Sequence, residues 1–170
     1  MSISMYDATV PVLLRGLTVV ARYLDKAEAH AAEQGFDPAV LIGARLFPDM
    51  APLSAQVQRT SDSAKGALVR LAGIEVPAFP DTETTFAELK TRVAKTVALL
   101  EAATPRQFEG SEAKRIELKL RGTTVTLTGQ QFVLGFLLPN FFFHVTTLHD
   151  ILRHNGVRIG KADYLGELPA

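Results

Sequence analysis

The 170-residue chain is predicted to be mainly α-helical, a four-helix bundle with one short β-hairpin before its last helix. Three features lead there. Apolar residues recur every three or four positions through four separate segments, the spacing that holds them on one helix face. Prolines and glycines gather at the borders of those segments, where helices start and stop. One stretch alone, Arg115 to Leu127, alternates apolar with polar residues, which is the period of a strand.

The first helix is expected from Tyr6 to Glu33, with Val10, Leu13, Leu17, Val20 and Leu24 on one face and Gly35 as its stop. Asp37-Pro38 can open a short helix running to Leu46. The segment 47–52, with Pro48 and Pro52, breaks it. A long helix follows from Pro52 to Ala72, ended by Gly73, with Leu53, Val57, Ala64, Leu68 and Leu71 inward. A second stripe, Gln56, Thr60, Ser63 and Ala67, is small and polar and is expected to face solvent, a pocket wall being the other choice. Residues 74–83 carry Pro77 and Pro80 and are read as a linker. Thr85 and Glu88 have the spacing of a capping box, so a third long helix begins at Phe86 and ends before Pro105.

In the alternating stretch, Arg121-Gly122 is read as a two-residue turn. That pairs Leu120 with Thr123, Leu118 with Val125 and Ile116 with Leu127, and leaves Glu117, Lys119, Thr124 and Thr126 on the wet face. A lone hairpin is marginal in water, so this one must lean on the bundle. The last helix is expected from Thr128 or Gly129 to Asn155, kinked at Pro139 and stopped by Gly156. From Phe132 to Phe143 it is apolar on nearly every side, as in a helix wrapped by its own bundle or shared with a second subunit. The tail from Val157 is read as an extended strap. No repeat or internal boundary divides the chain, so residues 1–170 are read as one domain.

Composition removes several classes of function. With no cysteine there can be no disulfide framework, thiolate metal site or cysteine nucleophile. Lys plus Arg and Asp plus Glu balance at 18 each, so no overall charge draws the chain to nucleic acid or an anionic membrane. The apolar run from Phe132 to Val145 is interrupted by Gly135, Pro139, Asn140 and His144 and is shorter than the ~20 residues of a membrane span. The amino terminus lacks the basic region and small-residue cleavage site of a secretory signal, so a cytoplasmic location is expected. Neither a serine nucleophile elbow, a phosphate-binding glycine loop nor a dinucleotide fingerprint is present.

The candidate site residues are polar groups in apolar surroundings. His144 follows three phenylalanines in the most apolar helix, and reads either as a satisfied core histidine or as a ligand or base in a pocket. Asn140, beside Pro139, either satisfies carbonyls that the proline frees or lines the same pocket. Asp49 reads as a helix cap, or as a metal or substrate carboxylate, and Gln56 could reach the same cavity. Tyr6 could hold a hydrogen bond at a pocket rim. The other histidines, His30, His149 and His154, suit exposed positions. His144 and His149 are five residues apart and point about 140° from one another, so no histidine pair has ligand spacing.

Several segments taken together resemble an uncharacterised bacterial family of unknown function within the DinB/YfiT-like helical bundles. These are Leu46-Phe47-Pro48-Asp49-Met50 with Gln56-Val57 and Ala64-Lys65-Gly66, then Asn140 to Thr147 with Arg153-His154-Asn155-Gly156, and Gly160 to Gly166. The resemblance covers essentially the whole chain. It implies an up-down-down-up four-helix bundle, frequently dimeric. Better-known members hold a divalent metal with three histidines, one from the second helix and two from the fourth, and some are metal-dependent thiol transferases or hydrolases. This chain has no histidine in its second long helix, and only His144 carries over. The site is therefore either lost or rebuilt with Asp49 or Gln56 as oxygen ligands for zinc, nickel or manganese. The expectation is a homodimer with a polar small-molecule pocket or a degenerate metal site near His144. The alternatives are a metal-dependent transferase or hydrolase using His144 and Asp49, and a structural dimer module.

Overall fold

The computed structural model describes residues 3–120 and 122–166. Helix α1, Val10–Gln34, starts later than expected because Pro11 sits in its first turn, where a missing N–H costs no bond. Tyr6 is left in the preceding turn, its carbonyl accepting from Thr9 and Val10 at 3.0 and 2.8 Å. Gly35 closes α1 in the left-handed conformation, at φ 72°. Helix α2, Ala39–Ile42, is one turn and stops at Gly43, short of the expected Leu46.

Helix α3, Leu53–Ala67, continues through a π-helical turn, Leu68–Ala72, to Gly73 at φ 69°. The segment 74–83 has neither helix nor strand, as its prolines require. Helix α4, Phe86–Glu101, opens on the expected box: Thr85 Oγ1 accepts from the Glu88 amide at 3.2 Å, and Glu88 Oε2 from the Thr85 amide at 3.0 Å.

Strands β1, Arg115–Leu120, and β2, Thr123–Thr128, pair antiparallel in the expected register, Ile116 with Leu127 and Leu118 with Val125. Arg121, the first residue of the expected turn, lies outside the described residues. The hairpin leans on the bundle through β1, whose Ile116 and Leu118 are buried, while Val125 of β2 is exposed.

Helix α5, Gly129–Phe132, capped by Thr128, runs through a second π-helical turn, Val133–Leu137, into α6, Leu138–His154. The widened turn lies just ahead of Pro139, which cannot donate to the preceding turn, so the expected discontinuity appears as a π turn. The continuous helix from Gly129 to His154 is long and apolar enough to cross a membrane, contrary to the sequence reading, which stopped it at its interruptions. Its Phe141, Val145, Leu148, Ile151 and Leu152 are buried in the bundle, while Leu134 and Phe143 are exposed. The tail is not a plain strap. Helix α7, Lys161–Leu165, folds back onto α1 and α6, held by Asp163 on Lys26 at 2.5 Å and by the Tyr164 and Thr146 hydroxyls at 2.9 Å.

The four long helices form an up-down-down-up bundle with the hairpin before the last. Helices α1 and α3 each pack against both α4 and α6. The core between them is Leu13, Leu17, Leu24, Val57, Leu68, Leu89, Leu100, Phe141 and Leu148, every one below 1% exposed. Each such side chain removed from water contributes about 2 kcal/mol. Helices α1 and α6 approach closely at Gly16, where a Cβ would fall 2.3 Å from the Phe141 ring.

Candidate functional site

The seam between α3 and α6 is polar in the middle of this core. Gln56, Thr60 and Ala67 are buried, and Ser63 is half-buried, so the stripe expected to face solvent faces α6 instead. The reason is on the opposite helix: α6 presents Asn140 and His144, one turn apart, and their polar atoms need partners. Asn140 Nδ2 donates to Ser63 Oγ at 2.8 Å. His144 Nδ1 lies 2.8 Å from Gln56 Oε1.

That second bond fixes the state of the imidazole. Gln56 Nε2 donates to the Ala51 carbonyl at 2.9 Å, so the amide is oriented with its oxygen toward His144. An amide oxygen only accepts, and His144 Nδ1 must therefore carry the proton. Nε2 keeps its lone pair and has no protein partner among the described residues, yet it is not sealed from solvent. Burial, with Arg59 adding to it, pushes the His144 pKa down to about 4, so the ring is neutral at pH 7.

His144 lines a cavity of about 520 Å³ between α3, the hairpin and the α5–α6 helix. Its apolar wall is Leu118, Phe132, Phe136, Leu137 and Phe143. Its polar wall is Arg59, Asp62, Ser63, Arg70, Lys119, Asn140 and His144. The sequence reading missed the cations. Gln56, Arg59, Ser63 and Arg70 follow one another at three, four and seven residues, one face of a helix, so two of the three were visible in the spacing. Lys119 reaches the cavity from β1, which only the tertiary fold places there.

Asp62 is the one carboxylate in the wall among the described residues, and its charge is already engaged by Arg92 at 2.9 Å and Lys65 at 3.5 Å. Arg92, on α4, is 2% exposed and also binds Asp81 at 3.0 Å and Glu83 at 2.9 Å. Burial works against the Glu83 carboxylate, but hydrogen bonds from Arg92 and Gln58 outweigh it and hold its pKa below the ordinary value.

Of the expected site residues, the fold brings Gln56, Asn140 and His144 together and separates the other two. Asp49 is exposed in the turn after Phe47, lines no part of this cavity and makes no hydrogen bond among the described residues. It does not cap α3 either, whose N-cap is Pro52. Tyr6 is half-buried against Phe108, with ring centroids 5.6 Å apart, at a different and mostly apolar cavity of about 680 Å³. His149 is also paired away from His144, its Nδ1 2.7 Å from the Tyr23 hydroxyl.

The donor set does not fit a divalent cation. Among the described residues no three His, Asp or Glu side chains converge as such an ion requires. His144 offers one nitrogen, and Arg59, Arg70 and Lys119 put positive charge where a metal would add more. Asp49, expected as a second ligand, lies exposed in the turn 47–50 and is not part of this wall.

Comparison with known proteins places this chain in a family. Residues 5–165 match the domain of unknown function DUF1993. The chain is also similar to the crystal structure of a DinB family member protein from Shewanella denitrificans, with 39% identity and a TM-score of 0.91 over 97% of this chain and 93% of that one. No curated protein matches it. The chain therefore belongs to the DUF1993 family, a DinB-like family of unknown function.

Proposed function

We propose that this DinB-like bundle binds a small organic molecule in the cavity between α3 and α6, with His144 as its recognition residue. The observation that carries the reading is the His144 ring: 7% exposed, neutral, locked by Gln56, and left with an open Nε2 lone pair on the wall of a 520 Å³ cavity. That volume suits a molecule of drug size or smaller. A fragment screen by NMR on isotope-labelled protein tests the proposal. Ligands should perturb the amides of residues 56–63 and 136–144, and His144→Ala should keep the fold and lose them. Fragments that perturb only other regions, or that bind the variant equally well, would defeat it.

A homodimer is the assembly we propose for it. Support comes from two large apolar side chains of the α5–α6 helix that the monomer leaves in water, Leu134 at 58% and Phe143 at 56% exposure. Sedimentation velocity at micromolar concentration should give a dimer that Leu134→Glu or Phe143→Glu dissociates. A monomer throughout that range removes this part of the proposal.

A further inference from the structure

We infer that the ligand of the His144 cavity is an organic acid, its carboxylate taken by Arg59, Arg70 and Lys119 and a hydrogen-bond donor on its apolar body taken by His144 Nε2. This rests on the reading of the cavity as a binding site and adds the charge and shape of what enters it.

Charge is the first argument. Three cationic side chains line one cavity in a chain whose total charge is zero, so the excess is local. The wall's only carboxylate among the described residues, Asp62, is shared between Arg92 and Lys65. The charged ends of Arg59 and Lys119 make no ion pair or hydrogen bond among the described residues. Arg70 makes one, from Nη1 to the Gly66 carbonyl at 3.2 Å, and its guanidinium stands 5.9 Å from the Phe132 ring. Uncompensated cations around one cleft repel each other, and an entering anion reverses that sign. Guanidinium groups match the two oxygens of a carboxylate.

The rest of the cavity specifies what the acid is attached to. Phe132, Phe136, Phe143, Leu118 and Leu137 form a wall that an inorganic anion would leave unmatched. His144 is 93% withdrawn from solvent by its 7% exposure, and its Nε2 can only accept, since Gln56 holds the ring proton on Nδ1. A hydroxyl on an aromatic or short aliphatic body satisfies both demands.

Four probes on one frame test this by calorimetric titration of the full chain at low ionic strength: 4-hydroxyphenylacetate, its amide, phenylacetate and tyramine. The hydroxy acid should bind one to one, about tenfold or more tighter than its amide, with an affinity that falls as salt is added. Phenylacetate, lacking the donor, should bind more weakly, and tyramine should not compete. Arg59→Gln and Lys119→Gln should each weaken the acid several-fold while leaving the amide unchanged and the circular dichroism spectrum intact. Equal binding of acid and amide, or tightest binding of tyramine, overturns the charge assignment. If those same probes are lost in His144→Ala, the binding-site reading survives that failure. Neutral His144-dependent fragments with no acid among them would likewise overturn the inference alone.

Discussion

Nδ1 of His144 and Oε1 of Gln56 meet at 2.8 Å across the α3–α6 seam, and the Ala51 carbonyl on the far side of the amide decides which of them donates. One backbone carbonyl thus sets the tautomer of an imidazole on another helix, and leaves Nε2 as the ring nitrogen with an open lone pair.

The same burial predicts how stability changes with acid. His144 has its pKa pushed from 6.5 down to about 4 in the fold, so between those values the unfolded chain binds a proton that the folded chain refuses. Stability from this residue is therefore present above about pH 6.5 and is lost as pH falls toward 4. The loss is at most about 3.5 kcal/mol, because each pKa unit corresponds to about 1.4 kcal/mol. Urea midpoints measured from pH 7 to pH 4 should fall more steeply for the parent than for His144→Gln. Parallel curves would mean that the ring titrates normally.

Gln56→Glu makes the opposite prediction for the same ring. A carboxylate in place of the amide keeps the acceptor for Nδ1–H but adds a negative charge beside the imidazole, which favours its protonated form. The His144 pKa should rise clearly above its parent value when followed by NMR of the ring carbon protons. The Ala51 carbonyl loses its donor in the variant, so a destabilisation of about 1–3 kcal/mol should accompany the shift.

Arg92→Met should be among the most damaging single changes. Removing a guanidinium that is 2% exposed leaves Glu83, Asp81 and Asp62 facing one another without their shared cation. Asp62 and Asp81 stay half in water and Glu83 is the carboxylate left largely buried, so the loss should be about 2–3 kcal/mol. Part of the loss should return at low pH. The Glu83 pKa is held below its ordinary value in the parent, so that parent contribution is present at neutral pH and fades as acid protonates the carboxylate. Denaturation of parent and variant at pH 7 and pH 4 should show the gap narrowing.

These residues show where sequence reading succeeds and where it stops. Gly35, Gly73 and Gly156 end helices because a left-handed residue is needed there, a local demand that spacing alone reveals. The Thr85–Glu88 box and the hairpin register are local in the same way. Gln56 and His144 were each legible as polar residues in apolar company, but their bond joins positions 88 residues apart. Lys119 looked like wet-face decoration because alternation says which side of a strand a residue takes, not what that side meets. Asp49 misled for the converse reason: its neighbours Pro48 and Pro52 marked a helix start, while the turn 47–50 turned its carboxylate outward.

The last prediction concerns the junction that carries the hairpin into the cavity's own helix. Gly129 follows β2 and begins α5, and a Cβ built there would stand 1.8 Å from the carbonyl oxygen of Ser111 and 2.9 Å from its carbon. That neighbour is backbone, and Ser111 is itself buried and tied to the Phe108 carbonyl through its hydroxyl at 2.7 Å. It has no flexible end to yield. In an ordinary helix interior, alanine for glycine would stabilise by up to about 1 kcal/mol. Here the overlap must instead push the α5 start away from the 3₁₀ turn Ser111–Ala113, so Gly129→Ala should destabilise by about 1–3 kcal/mol. Thermal or urea unfolding measures the sign directly. Because α5 carries Phe132 and runs through the π turn, which carries Phe136, to His144 on α6, the same variant should also weaken any ligand of the cavity. A variant as stable as the parent would mean that the turn and the helix separate freely, and that the hairpin is not a fixed wall of the site.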